Sequence, residues 1–308
     1  MERREFIKKS VAASFAATVA LYFSNLEKLF AQTNGNSSLP YDLVAVRNGE
    51  PDVMFDAGIE SMGGMKTFVK PGNTVVVKPN IGWDVVPARA ANTNPVLVKR
   101  IVEQCYSAGA SEVYVFDYTC DEWQNCYKNS DIEAYAKQAG AKVVPGNFES
   151  YYRPVTIKKG ISLKEAKVHE LILDSDVFIN VPVLKHHSSA DLSIAMKNLM
   201  GIIWDRRYWH RNDLHQCIAD FSTYRQPDLN VIDAYRVMLK NGPRGVSESD
   251  VALFKTQILT TDIVAGDAAA AKLFGTEPKD VPYIVKAAAL GVGTYNLESL
   301  NINRIKLS

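Results

Sequence analysis

The sequence predicts an α/β fold, in which a mostly parallel sheet is covered by helices on both faces. Two observations support this prediction. Short runs of β-branched and apolar residues alternate along the chain with longer segments of helical periodicity. The first strands and helices also follow one another in the order βαβαβ, which favours a parallel sheet with both faces buried.

The N-terminal segment 1–31 has the features of a twin-arginine export signal. Arg3 and Arg4 precede an apolar stretch at 11–23. This stretch is too short for a membrane span, which needs about 20 apolar residues, but it suits the core of a signal peptide. The sequence therefore predicts export by the twin-arginine translocase to a periplasmic or extracellular location, with no stable membrane span in the mature form. An uncleaved amphipathic anchor is the alternative.

The rest of the chain is long enough for one large domain. Residues 32–40 form a polar linker, and 41–308 are predicted to be a single α/β domain; a division into two lobes, about 41–150 and 151–308, stays open. The chain has a net charge of +1, to which segment 1–31 contributes +2. A near-neutral domain without a basic block lacks the electrostatic footprint of nucleic-acid binding.

The predicted elements succeed one another through most of the length. Strands are predicted at 74–78, 112–117, 142–144, 176–181, 229–233 and 257–259, and helices at 95–108, 132–139, 192–199, 265–274 and 280–290. In the helix 95–108, Val98, Ile101, Val102 and Cys105 lie on one face, and Gly109 ends it.

The four cysteines do not form a cluster-binding signature. Cys120 and Cys126 share a polar loop, and whether they form a disulfide stays open. Because no CxxCxxC pattern is present, the sequence argues against an iron–sulfur cluster.

Polar residues gather where predicted strands end. Lys78 and Asn80 flank a proline after one strand, and Lys185 and His187 follow another. Ligands of parallel α/β sheets bind beyond the carboxyl ends of the strands. We therefore predict that these four side chains converge at one rim and bind a small anionic molecule.

Lys197 lies in an unusually apolar setting, IAMKNLMG, ten residues after His187. Histidine titrates near neutrality and serves as an acid or base, and a lysine in apolar surroundings can lose its proton and act as a nucleophile. Catalytic roles are predicted for His187, Lys197 and Lys185. The alternative for Lys197 is a structural ion pair, for which the available carboxylates are Asp205, Asp262 and Asp267.

Six residues are predicted to hold a cofactor or a metal. Cofactor binding is assigned to Lys78, Asn80, Asn198 and Asp262, and metal binding to His210 and His215. The spacing of the two histidines is not that of a helical metal pair, so a surface helix cap is the alternative.

Five segments resemble successive blocks of the domain-of-unknown-function family 362 (DUF362). They are VVVKPNIGW, NTNPVLVKRIVEQCYSAGASEVYVFD, INVPVLKHHSSADLSIAMKNLMG, VIDAYRVMLKNGPRG and TTDIVAGDAAAAKLFG. The family has no general established reaction. The resemblance therefore implies kinship and not an activity.

A second, more distant similarity is to nickel-dependent lactate racemases. In that family a catalytic base His precedes, by ten residues, a Lys that is linked to the nickel-pincer cofactor; His187 and Lys197 reproduce this spacing. Lys78 lies where those proteins place a substrate-holding Arg, whereas the position of the second catalytic His holds Asp117-Tyr-Thr-Cys120. The similarity implies where the site lies. It leaves open whether the protein binds a metal or an organometallic cofactor.

Two hypotheses of different class follow. One is an exported enzyme that acts on a small anionic substrate by proton transfer with a cofactor. The other is a non-catalytic anion-binding, solute-binding or redox-accessory protein. In an enzyme, His187 should lie at one cavity with another titratable group.

Overall fold

The computed structural model describes residues 39–308. The predicted export signal, 1–31, and the predicted linker up to residue 38 lie outside the described residues. Within 39–308, no helix combines the length and the apolar character that crossing a membrane requires.

Twelve strands and ten α-helices make up the described part of the chain. The strands are β1 (Leu43–Arg47), β2 (Thr74–Pro79), β3 (Glu112–Val115), β4 (Lys142–Val143), β5 (Tyr152–Thr156), β6 (Glu165–His169), β7 (Val177–Val181), β8 (Val183–His187), β9 (Asp191–Ser193), β10 (Leu229–Met238), β11 (Val251–Thr260) and β12 (Ile302–Lys306). The helices are α1 (Pro51–Ser61), α2 (Pro95–Ala108), α3 (Trp123–Asn129), α4 (Ile132–Gln138), α5 (Glu170–Asp174), α6 (Ala195–Asn198), α7 (Arg206–Arg211), α8 (Leu214–Ser222), α9 (Ile263–Phe274) and α10 (Pro282–Ala289).

One ten-stranded sheet organises the molecule. Its order is β12-β1-β11-β10-β7-β2-β3-β4, and β8 pairs with both β10 and β9. The run β10-β7-β2-β3-β4 is parallel, whereas β11 is antiparallel to both β1 and β10. Strands β5 and β6 form a separate antiparallel hairpin. The predicted α/β fold with a mostly parallel sheet is confirmed.

Alternate residues of the central strands enter two hydrophobic cores, one on each face of the sheet. Val75 and Val77 pack with residues of α1, α2 and α4, whereas Val76 and Phe178 pack with residues of α8, α9 and α10. Successive side chains of a strand point to opposite faces. The central strands therefore direct apolar residues to both faces, because both faces are covered, as the sequence predicts.

The predicted helix at 192–199 is wrong over its first half. Asp191–Ser193 is strand β9, which pairs with β8, and only Ala195–Asn198 is α-helical. The carboxylate of Asp267, on α9, accepts hydrogen bonds from the backbone N–H groups of Ala195 (2.7 Å) and Met196 (3.1 Å). This tertiary cap starts the short helix, and nothing in the local sequence indicates it.

Candidate functional site

A large cavity of about 1230 Å³ opens at the carboxyl ends of β2 and β3. Its wall includes Trp83, Tyr118, Cys120, His187, Lys197 and Arg206. These residues also line an inner pocket of about 60 Å³, whose other side chains include Lys78, Asn80, Lys185 and Asn198. The structure thus brings together Lys78, Asn80, Lys185 and His187, as the strand-end argument predicts, and adds Lys197 and Asn198.

A buried ion pair forms the floor of the inner pocket. Lys78 Nζ lies 2.9 Å from Asp117 Oδ1 and donates to Asn198 Oδ1 at 2.8 Å. Burial lowers the pKa of Lys78, and the neighbouring Asp117 opposes that shift. Asp117 follows β3 as Asn80 follows β2. The strand-end rule for parallel sheets selects this position, although no role in the site was predicted for Asp117.

Gly201 permits this ion pair to form. A Cβ atom added at Gly201 would lie 1.8 Å from Asp117 Oδ1 and 2.6 Å from Lys78 Nζ. The backbone therefore passes close over the pair, and any side chain at this position would displace it.

A chain of amide side chains fixes the pocket floor. Asn80 Nδ2 donates to Asn198 Oδ1 (3.0 Å), and Asn198 Nδ2 donates to Asn180 Oδ1 (2.9 Å). Asn180 Nδ2 donates in turn to Asn230 Oδ1 at 3.0 Å. Because each amide is engaged at both ends, the oxygens of Asn80 and Asn198 are directed at the lysines.

Lys185 is an almost fully buried amine in the same pocket. Its Nζ donates to Asn80 Oδ1 (3.2 Å) and to the carbonyl of Ala91. Burial lowers the pKa of Lys185 to about 7, and the positive charges of Lys197 and Lys78 act in the same direction. This amine therefore changes charge near neutral pH.

Lys197 extends from α6 into the cavity and is half-buried. No hydrogen bond or ion pair to its amine is found within residues 39–308. Burial, with the positive charges of Arg206 and Lys78, lowers the pKa of Lys197 to about 8. The amine is therefore unpaired within the described residues and is partly uncharged near neutral pH.

None of the three carboxylates considered for Lys197 pairs with it, so the ion-pair alternative is wrong for the described chain. Asp267 caps α6, and burial raises its pKa to about 8. Asp262 caps α9 through Val264 and Ala265 N–H, both at 2.9 Å. Asp205 Oδ1 accepts from Tyr208 N at 3.2 Å and so caps α7.

The hydrogen bonds of His187 fix its tautomer. The backbone N–H of Ser189 donates to His187 Nδ1 at 3.2 Å, so the neutral ring carries its proton on Nε2. Burial, together with the positive charges of Lys197 and Lys185, lowers the pKa of His187 to about 2. His187 therefore presents a neutral Nε2–H to the cavity and acts as a donor at this atom. This arrangement disfavours the predicted role of His187 as a base.

Arg206 is a second residue that sequence reasoning did not assign to the site. It donates to the carbonyls of Tyr118 (2.8 Å) and Thr119 (2.6 Å), and its guanidinium lies 3.9 Å from the centre of the Tyr118 ring. Trp204 also stacks on Tyr118, with ring centres 5.1 Å apart. This stack holds a permanent positive charge on the cavity wall beside Lys197.

Other predicted site residues lie elsewhere or at the rim. Asp262 does not line the cavity. Its second carboxylate oxygen instead accepts a hydrogen bond from Thr294 N at 2.9 Å. His210 lines the outer cavity, but His215 stacks on Tyr283 with ring centres 6.0 Å apart. The structure therefore does not bring these two histidines to one cavity.

In residues 39–308 no group of three or more His, Cys, Asp or Glu side chains is arranged to hold a metal ion.

The two cysteines of the polar loop are separate thiols. Cys126 is buried, and Cys120 is exposed at the cavity, with its sulfur 3.5 Å from Arg206 Nη1. The disulfide that the sequence left open is therefore not formed in this structure.

The chain matches a protein family whose description assigns no function. Residues 75–272 match the family described as a domain of unknown function (DUF362). The chain is 23% identical over 242 residues to the thylakoid-associated protein sll1697 of Synechocystis sp., which covers 76% of this chain and 73% of that protein.

One solved structure with partial likeness to this chain is the lactate racemase apoprotein from Thermoanaerobacterium thermosaccharolyticum. The likeness has a TM-score of 0.43 and 12% sequence identity. It covers 69% of this chain and 53% of the racemase, so this chain spans about half of that protein's length.

Proposed function

The chain belongs to the DUF362 family, and we propose that its cavity binds a small organic anion and transfers a proton to or from it. One observation carries this proposal: the unpaired amine of Lys197 lines the same cavity as the neutral Nε2–H of His187. A base and a hydrogen-bond donor facing one space are the two groups that proton abstraction next to a carboxylate requires.

Each group has a distinct role in this proposal. Arg206 and the charged fraction of Lys185 attract the anion. Lys197 takes the proton, because a pKa of about 8 leaves about a tenth of the amine uncharged at pH 7. His187 donates from Nε2 to the oxygen that gains negative charge as the proton leaves. Since this imidazole does not become charged, it stabilises the anion without competing for the proton.

A cofactor joined to the Lys197 amine also fits the site. The amine has no partner within the described chain, and the cavity of about 1230 Å³ has room for a bound group. Such a group would supply the electron-accepting chemistry, and His210 would be an imidazole on the same wall. A mass above that of the sequence, located on the Lys197 peptide of protein purified from its native host, would identify this case.

The alternative from a different class is an anion-binding or redox-accessory protein without catalysis. Arg206, Lys185 and Lys197 would then hold an anion, and His187 would contribute a hydrogen bond. The two functions differ in one observable: only the enzyme moves a proton of its ligand.

Proton exchange in D₂O tests the proposal without a known substrate. Glycerate, glycolate and gluconate are incubated with the protein, and loss of the C–H signal beside the carboxylate is followed by ¹H NMR. We expect exchange of at least one acid to be faster than without protein by about a hundredfold or more, the lower range of general-base catalysis. Binding without exchange of any of the three would support the non-catalytic alternative.

Export is the part of the proposal that depends on the N-terminal segment. We propose that Arg3 and Arg4 direct the folded protein through the twin-arginine translocase to a periplasmic or extracellular location. The name of the Synechocystis relative associates that protein with a membrane system. Changing both arginines to Lys should retain the protein in the cytoplasm, as measured by cell fractionation. Normal export of the double variant would refute this part.

A further inference from the structure

We infer that the ligand of this cavity is a hydroxyl-rich organic acid, such as a sugar acid or a sugar phosphate. Its anionic group would lie at the inner end of the cavity, and its hydroxyl groups would face the outer wall. The inference rests on the proposed function, because it uses the same anion-binding end of the same cavity.

The size of the cavity is the first argument. Its volume of about 1230 Å³ exceeds the roughly 300–1,000 Å³ that is typical of pockets for drug-sized ligands. An acid of four or five heavy atoms at the inner end would leave most of this space unfilled. The cavity therefore has room for a body of the size of one or two sugar rings attached to the anionic group.

The charge distribution along the cavity is the second argument. The inner end carries the amines of Lys185 and Lys197 and the guanidinium of Arg206. The outer cavity is lined by the carboxylates of Asp121, Glu149, Glu165 and Asp205 and by two cations, Lys167 and Arg207, of which Lys167 pairs with Glu149 at 2.5 Å. Carboxylates outnumber cations on this outer wall, which disfavours a second anionic group there. Carboxylates only accept hydrogen bonds, so they suit a neutral body that carries many O–H donors.

Two side chains on the wall lack contacts that a sugar could provide, namely a stacking partner and a hydrogen-bond donor. The indole of Trp83 lines both the cavity and the inner pocket, and no aromatic ring stacks on it within the described chain. Asn147 Nδ2 donates to Thr119 Oγ1 at 3.0 Å, but its buried Oδ1 has no hydrogen-bond partner in residues 39–308. A sugar ring offers a face of C–H groups to the indole and a hydroxyl donor to the amide oxygen.

Calorimetric titration of the full chain at pH 7 tests the inference. The anionic polyols are glucuronate, galacturonate, gluconate and glucose 6-phosphate, and the comparison ligands are glucose, propionate and glucosamine. We expect at least one anionic polyol to bind ten times more tightly than every comparison ligand. Comparing the three sugar carboxylates with glucose 6-phosphate shows whether the site prefers a carboxylate or a phosphate as the anionic group.

Two variants assign any binding to its part of the cavity. Trp83→Leu should weaken the polyol acid by about tenfold, equivalent to about 1.4 kcal/mol, and leave propionate unaffected. Lys197→Met should weaken both. Trp123→Leu is the matched control, because this ring packs edge-on against Tyr127 and does not line the cavity.

The outcomes separate this inference from the proposed function. If propionate binds through Lys197 and no polyol acid binds more tightly, the inference is overturned and the anion site stands. If no acid binds, both are overturned. Binding of glucose or glucosamine as tight as that of the acids would also overturn the inference, because the anionic end would then have no role.

Discussion

Lys197→Met should abolish proton exchange and leave the protein folded. Met preserves the apolar length of the side chain and removes the amine that we assign as the base. No carboxylate pairs with this amine in the described chain, so its removal strands no buried charge. We expect exchange to fall to the level without protein, and the free energy of unfolding to stay within about 1 kcal/mol of the parent. NMR exchange and urea denaturation measure the two quantities.

A matched control separates the amine from a general loss of positive charge. Lys164 is exposed, and its Nζ donates to the carbonyl of Gly160 at 2.6 Å, outside the large cavity. Lys164→Met should keep parental exchange. Undiminished exchange in the Lys197 variant would contradict the assignment of the base, and strong destabilisation would show that the amine has a structural role.

Asp117→Asn should give the largest loss of stability among single changes in the site. The substitution leaves Lys78, which is 0% exposed, without its countercharge. Breaking a buried ion pair by removal of one partner costs about 3–5 kcal/mol. Asp117 Oδ2 also accepts from Ile81 N at 2.6 Å, so the turn that carries Asn80 should loosen with it. Urea denaturation gives the change in free energy.

Two companion variants make the Asp117 result specific. Asp174→Asn removes an exposed partner of Arg153, and we expect a loss of at most about 1 kcal/mol. The double variant Lys78→Met with Asp117→Asn removes both charges, and should lose less stability than its two single changes, Lys78→Met and Asp117→Asn, added together. A double variant that loses as much as their sum would contradict the coupling of the two charges.

The sequence predicted the architecture because buried parallel strands leave a clear pattern. The strand 74–78 and the helix 95–108 are found at Thr74–Pro79 and Pro95–Ala108, where apolar periodicity, Asn94 as an N-cap and Gly109 at the end agree. The hairpin β8–β9 was missed because its strands are short and rich in polar residues, among them Lys185, His187 and Asp191, so neither strand shows an apolar period of two. A helix and a strand are then indistinguishable by pattern.

The site was predicted in position and only partly in chemistry. Strand-end logic selected Lys78, Asn80, Lys185 and His187, since the ends of parallel strands meet at one rim. The position at a strand end does not indicate the tautomer of His187. The tautomer depends on a single contact, the hydrogen bond that the backbone N–H of Ser189 donates to His187 Nδ1. Arg206 was missed because its place in the wall depends on carbonyl groups of a loop about 90 residues earlier, which no local pattern encodes.

The titration of Lys197 tests the central claim most directly. The full chain is labelled with trace acetic anhydride at a series of pH values, and mass spectrometry of the Lys197 peptide gives the fraction of reactive amine. The account predicts a midpoint of about 8, because burial and the nearby positive charges of Arg206 and Lys78 disfavour the ammonium form. A midpoint near the ordinary lysine value of about 10.4 would contradict it, because the amine would then be fully charged at neutral pH and would have no capacity to accept a proton.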